Sequence, residues 1–138
     1  MPSNLAGRSE TDVYLVFLTV DTQEHATRFI KDIFKHGLAA DVTMIEGGFD
    51  RSYLKLGRLA TETQRSRLQL RTSGAKVTQL IDYINDENPT GYDYPVPNSI
   101  ALPVDNGNPK YLEWVTHQCS SNDGRIVYDG HQKGEDGN

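Results

Sequence analysis

The chain carries one cysteine, Cys119, in 138 residues, so no internal disulfide can hold the fold. No apolar run approaches the roughly 18 residues of a membrane span. Basic charge is not in surplus: 14 Lys and Arg stand against 19 Asp and Glu, a net −5 at pH 7. Phosphate backbones need a basic face, so nucleic acid is excluded as the main partner. The opening residues Met1-Pro2-Ser3-Asn4 lack the charged and apolar regions of a secretory signal. The chain has no Gly-x-Ser-x-Gly elbow and no phosphate-cradling glycine loop. Glu46, Asp50 and Glu62 are too scattered to pair for acid–base work. Together these absences predict a cytoplasmic protein that is not an enzyme and has no membrane partner.

What remains is strongly patterned. Val13 to Val20 is β-branched and aromatic throughout, as in a strand buried on both faces. Asp21 with Glu24 three residues later has capping-box spacing. Ala26, Phe29, Ile30, Ile33 and Phe34 follow as the stripe of a helix lying on a sheet, and Gly37 supplies its left-handed end. Ala39 to Ile45 reads as a second strand, interrupted by Gly47-Gly48 and continued from Phe49 to Leu56. Gly57 turns a hairpin, and Arg58 to Thr72 returns with Leu68, Leu70 and Thr72 alternating against Gln69 and Arg71. Ser73 is the expected cap of a second helix with the stripe Val77, Leu80, Ile81, Ile84. Asn88-Pro89 stops that helix, and Pro95 and Pro97 stiffen the loop beyond it.

The last patterned block runs from Ile100 to Val115. Ile100 to Val104 is a short apolar strand ending near a proline, as edge strands do. Asp105-Asn106-Gly107 turns the chain, Asn108 is placed to cap a helix, and Pro109 sits at its first position, where a missing N–H is harmless. Tyr111, Trp114 and Val115 share one face of that helix. The order is β-α-β-β-α-β plus a short C-terminal helix, an α+β, ferredoxin-like plan. Residues 12–117 form the expected domain, between a flexible N-terminus (1–11) and a polar, disordered tail (118–138) in which only Arg125 to Tyr128 has strand character. Two helices cover one sheet face, so the other face is wet or buried against a partner.

Several of these segments, in order and in register, resemble the CutA family of divalent cation tolerance proteins. They are Val16 to Glu24, Gly37-Leu38-Ala39-Ala40, the Gly48 to Gly57 hairpin with Tyr53, and Leu70-Arg71-Thr72. Pro97, Ile100 to Val104 and Gly107 to Trp114 complete them, and the final block is the specific part. The resemblance implies a homotrimer with its sheets facing a threefold axis, an assembly like that of the PII signalling trimers. It also implies a role in divalent metal-ion tolerance, through cation or small-ligand binding at clefts between subunits. The alternative is a PII-like signalling or scaffold trimer that binds an anionic metabolite or a protein partner and no metal.

The departures from the family fall on its candidate ligands. Asp41 stands where the family has a cysteine, and Leu54, Lys55 and Leu56 stand where its hairpin has a tryptophan. The family's His-Pro-Tyr becomes Tyr92-Asp93-Tyr94 or, by another alignment, Asn88-Pro89-Thr90, and its Pro-Glu becomes Pro97-Asn98. The candidate metal ligands are Asp41, whose carboxylates from three chains would form a ring for a hard cation, and the pair His117 and Cys119, which suit Cu(II). Tyr53, Tyr94, Tyr111 and Trp114 are the expected aromatics of an inter-subunit cleft, with Arg51, Lys55, Arg58 and Arg71 as its anion-binding cations.

Overall fold

A computed structural model describes residues 12–88 and 97–121. The elements are β1 (Val13–Val20), α1 (Gln23–Lys35), β2 (Asp41–Lys55), β3 (Arg58–Ser73), α2 (Val77–Glu87), β4 (Ile100–Pro103) and α3 (Pro109–Ser121). This is the order read from the sequence. The strands form one antiparallel sheet in the order β2-β3-β1-β4, a mixed α/β fold. With β1 flanked by both β3 and β4, the continuous apolar run from Val13 to Val20 has its explanation.

One face of the sheet is sealed. Tyr14, Val16, Leu18 and Val20 of β1 and Leu68 and Leu70 of β3 are buried there. Ala26, Phe29 and Ile33 of α1 and Val77, Leu80 and Ile84 of α2 pack into the same cluster. Each large apolar side chain so buried contributes about 1.5–3 kcal/mol.

The opposite face is uncovered. The register sets Asp41, Arg71, Leu15 and Leu102 in one row, and Thr43, Gln69, Phe17 and Ile100 in the next. Leu15 and Phe17 are only half-buried, and Ile100 and Leu102 are 57% and 48% exposed. The strand expected to be buried on both faces is therefore fully buried on one.

The β2–β3 hairpin extends well past the helices. Gly47, at φ 138°, lies in a bulge between Glu46 and Phe49 that shifts the register and lets β2 continue unbroken. Gly37 ends α1 at φ 68°, as expected. Asn108 caps α3, its Oδ1 accepting from the Lys110 backbone N–H at 3.0 Å.

Four local expectations are corrected. Thr22, not Asp21, is the N-cap of α1; its Oγ1 accepts from His25 N–H at 3.1 Å, while Asp21 takes the His25 side chain. Ser73 does not cap α2: it ends β3, and Lys76 occupies the cap position without a side-chain bond. The chain from 118 to 121 is not tail, because α3 runs through Ser121 with Cys119 buried inside. Trp114 is 43% exposed, since the inward position of α3 belongs to Val115. The flexible N-terminus, the tail beyond Ser121 and the loop with Tyr92 and Tyr94 lie outside the described residues.

Candidate functional site

The start of β2 and the first turn of α3 meet at Asp41. Tyr111 donates its hydroxyl to Asp41 Oδ2 at 2.6 Å and stacks on Trp114, ring centroids 5.7 Å apart. Burial, the bond to Asp41 and that carboxylate's charge push the Tyr111 phenol up to about 12, while Arg71 pulls it down. Arg71, Asp41's cross-strand neighbour, donates to Thr43 Oγ1 at 2.8 Å. The family resemblance placed these residues in a cleft, and the structure brings Asp41, Arg71, Tyr111 and Trp114 together.

It does not bring the expected metal ligands together. His117 and Cys119 are two apart on α3, about 200° around the helix axis. Cys119 points inward, its Sγ 3.6 Å from Thr72 Oγ1, while His117 is exposed. Asp41 is taken up by Tyr111 at the other end of the helix. Among the described residues no three His, Cys, Asp or Glu are placed to share an ion. Asp41, His117 and Cys119 therefore do not fit a metal site within one chain.

The expected anion-binding cations are also divided. Arg51 lies 4.1 Å above the Tyr53 ring and pairs with Glu62 at 3.6 Å; the Tyr53 hydroxyl donates to the same carboxylate at 3.1 Å. Lys55 and Arg58 face each other across the exposed hairpin tip, far along the strands from Arg71. Within one chain these four cations do not converge.

A further group went unread in the sequence. A cleft of about 230 Å3 between α1 and α2 is lined by His25, Arg28, Asp32, Tyr83 and Glu87 over Phe29. His25 Nδ1 donates to Asp21 Oδ1 at 2.6 Å, which fixes the imidazole, and Tyr83 donates to Asp32 Oδ2 at 3.2 Å. Burial and the charges of Asp32 and Glu87 raise the Tyr83 phenol to about 12. The available signal was the i, i+4 spacing of Asp21 with His25. Asn98, at the family's glutamate position, was likewise overlooked: its Nδ2 donates to Thr19 Oγ1 at 2.7 Å and its Oδ1 accepts from Thr19 N–H at 3.2 Å, extending the pairing beyond β4.

Comparison with known proteins matches this geometry to one family. The profile of the CutA1 divalent ion tolerance proteins matches residues 14–118. Protein CutA 1, chloroplastic, of Oryza sativa is 32% identical over 101 residues, 73% of this chain and 54% of that protein. Protein CutA, chloroplastic, of Arabidopsis thaliana is 29% identical over 73% of this chain and 52% of its own length. The chain thus spans about half the length of these curated relatives. The crystal structure of CutA from Xylella fastidiosa superposes with a TM-score of 0.68 at 30% identity, covering 78% of this chain and 98% of that one. The matched span includes the whole sheet, all three helices and the Asp41–Tyr111 junction, and so this chain belongs to the CutA1 divalent ion tolerance protein family.

Proposed function

We propose that this protein serves divalent metal-ion tolerance as a ferredoxin-like homotrimer, holding a cation or small ligand in clefts between subunits. The observation that carries the reading is the uncovered sheet face, in a chain that matches the CutA1 profile over 14–118. Leu15, Phe17, Ile100 and Leu102 make an apolar half of that face, and Asp41, Thr43, Gln69 and Arg71 make a polar half beside it. A second copy would dry the apolar half and bring the polar half towards a neighbouring chain. A three-donor cation site would then draw on more than one chain or on residues outside those described. In this reading the ion is cargo, copper among the candidates, and the role is cytoplasmic and non-catalytic.

Native mass spectrometry of the full chain, with and without Cu(II), tests this. A trimer that takes up ions, and loses them in Asp41→Asn, supports it; a monomer, or a trimer that stays ion-free, overturns the metal reading. The PII-like alternative draws support from Arg58 and Arg71, which only assembly could bring together. A trimer that ignores Cu(II) but gains mass with an anionic nucleotide would favour it.

A further inference from the structure

The end of the β2–β3 hairpin departs from turn chemistry in a way that folding does not require. Lys55 pairs with Arg58, leaving Leu56 and Gly57 as a two-residue turn with φ of 53° and 82°. Two positive φ values in such a turn favour Asn-Gly or Asp-Gly, because a short polar side chain tolerates the left-handed region. A leucine there is sterically disfavoured, and this one is 84% exposed. Its neighbours Leu54 and Leu59, cross-strand partners on one face, are 71% and 76% exposed. Lys55 and Arg58 lie together on the other face. Between Ser52 and Thr61 there is no acidic residue, in a chain whose net charge is −5.

We propose that this tip is an interfacial anchor for an anionic phospholipid bilayer, with Leu54, Leu56 and Leu59 in the acyl boundary and Lys55 and Arg58 on the headgroup phosphates. The leucines occupy the last three or so residues of each strand, about 10 Å at the usual rise. That matches the roughly 5–10 Å depth of interfacial insertion. The two cations beside the leucines are complementary to lipid phosphate, and their long stems let the charges rise to the headgroups while the leucines sink. An apolar pocket on a second copy would take the leucines but strip water from both cations. No helix among the described residues is long and apolar enough to cross a membrane, and a surface anchor needs none. The expectation of no membrane partner rested only on the missing span.

The test is co-sedimentation of the full chain with phosphatidylcholine vesicles, with and without phosphatidylserine. Binding should require phosphatidylserine and weaken with salt. Replacing Lys55→Gln and Arg58→Gln together should lower the binding constant about 25-fold, at about fivefold per cation. Leu56→Asn suits the left-handed turn better than the native residue, so the fold persists while vesicle binding drops. Equal binding by Leu56→Asn, or none by the native chain, overturns the proposal. So does a loss of native mass in Leu56→Asn without any vesicle binding, which would assign the leucines to contact between copies.

Discussion

The two faces of the sheet are built from the same strands by the same alternation, yet only one is finished. On the helix side, every second residue of β1 meets α1 or α2 and is at most 2% exposed. On the other side, the intervening residues Leu15 and Phe17 stay half-buried, and β4 offers Ile100 and Leu102 to solvent. A strand this apolar on both sides is typical of sheets covered on both. The difference separates what folds the protomer from what the protomer is folded for. The sealed face is sufficient for a core, and the open face is a surface awaiting a partner.

The largest effect should come from the sealed face. Phe29→Ala removes a ring that is 1% exposed and should destabilise the protomer by about 3–5 kcal/mol in urea unfolding. A loss below about 1 kcal/mol would mean that α1 is not the lid of this core. On the open face the expected result is of another kind. Ile100→Asp with Leu102→Asp should leave circular dichroism unchanged, since both side chains are exposed in the protomer. In analytical ultracentrifugation the pair should reduce the trimer to monomers, because two charges buried at an interface have no partners. An unchanged mass would break the contrast between the faces.

The junction at Asp41 gives a smaller and pH-dependent effect. Tyr111→Phe removes a hydrogen bond to a half-buried carboxylate and should cost about 1–2 kcal/mol. The phenol is raised from 10.0 to about 12, so folding favours the protonated form. Its contribution is complete below pH 10 and declines as pH rises from 10 towards 12. Urea melts across that range should show a shallower decline in Tyr111→Phe, with the remainder due to Tyr83, which is raised in the same way. An identical decline in the variant would mean that the bond does not persist in solution.

Elements were legible in the sequence because period and punctuation agreed: the α1 stripe with Gly37, the β3 alternation, and Asn108-Pro109 before α3. The site was not legible, because its contacts join residues far apart in the chain. Nothing in the local pattern couples Asp41 to Tyr111, or turns Cys119 towards Thr72 rather than towards His117. Those pairings follow from α3 packing against β3 and β1, which only the folded chain specifies. Trp114 shows the same limit: helical spacing gives a shared face, but not which member of it enters the core.

The smallest expected effect distinguishes two neighbours that the sequence did not separate. Asp21 and Thr22 are both good N-cap residues, and Glu24 made Asp21 the natural choice through the capping box. In the structure Thr22 has extended dihedrals, φ −135° and ψ 158°, and its oxygen receives the His25 N–H. Asp21 instead holds the His25 imidazole, whose side chain is 38% exposed. Thr22→Ala should therefore lower stability by about 1 kcal/mol at any pH. Asp21→Ala should lower it by less than about 0.5 kcal/mol, as for exposed ion pairs. If the two losses exchange places in urea melts, Asp21 is the cap in solution and α1 begins one residue earlier, which would tilt its stripe relative to the sealed face.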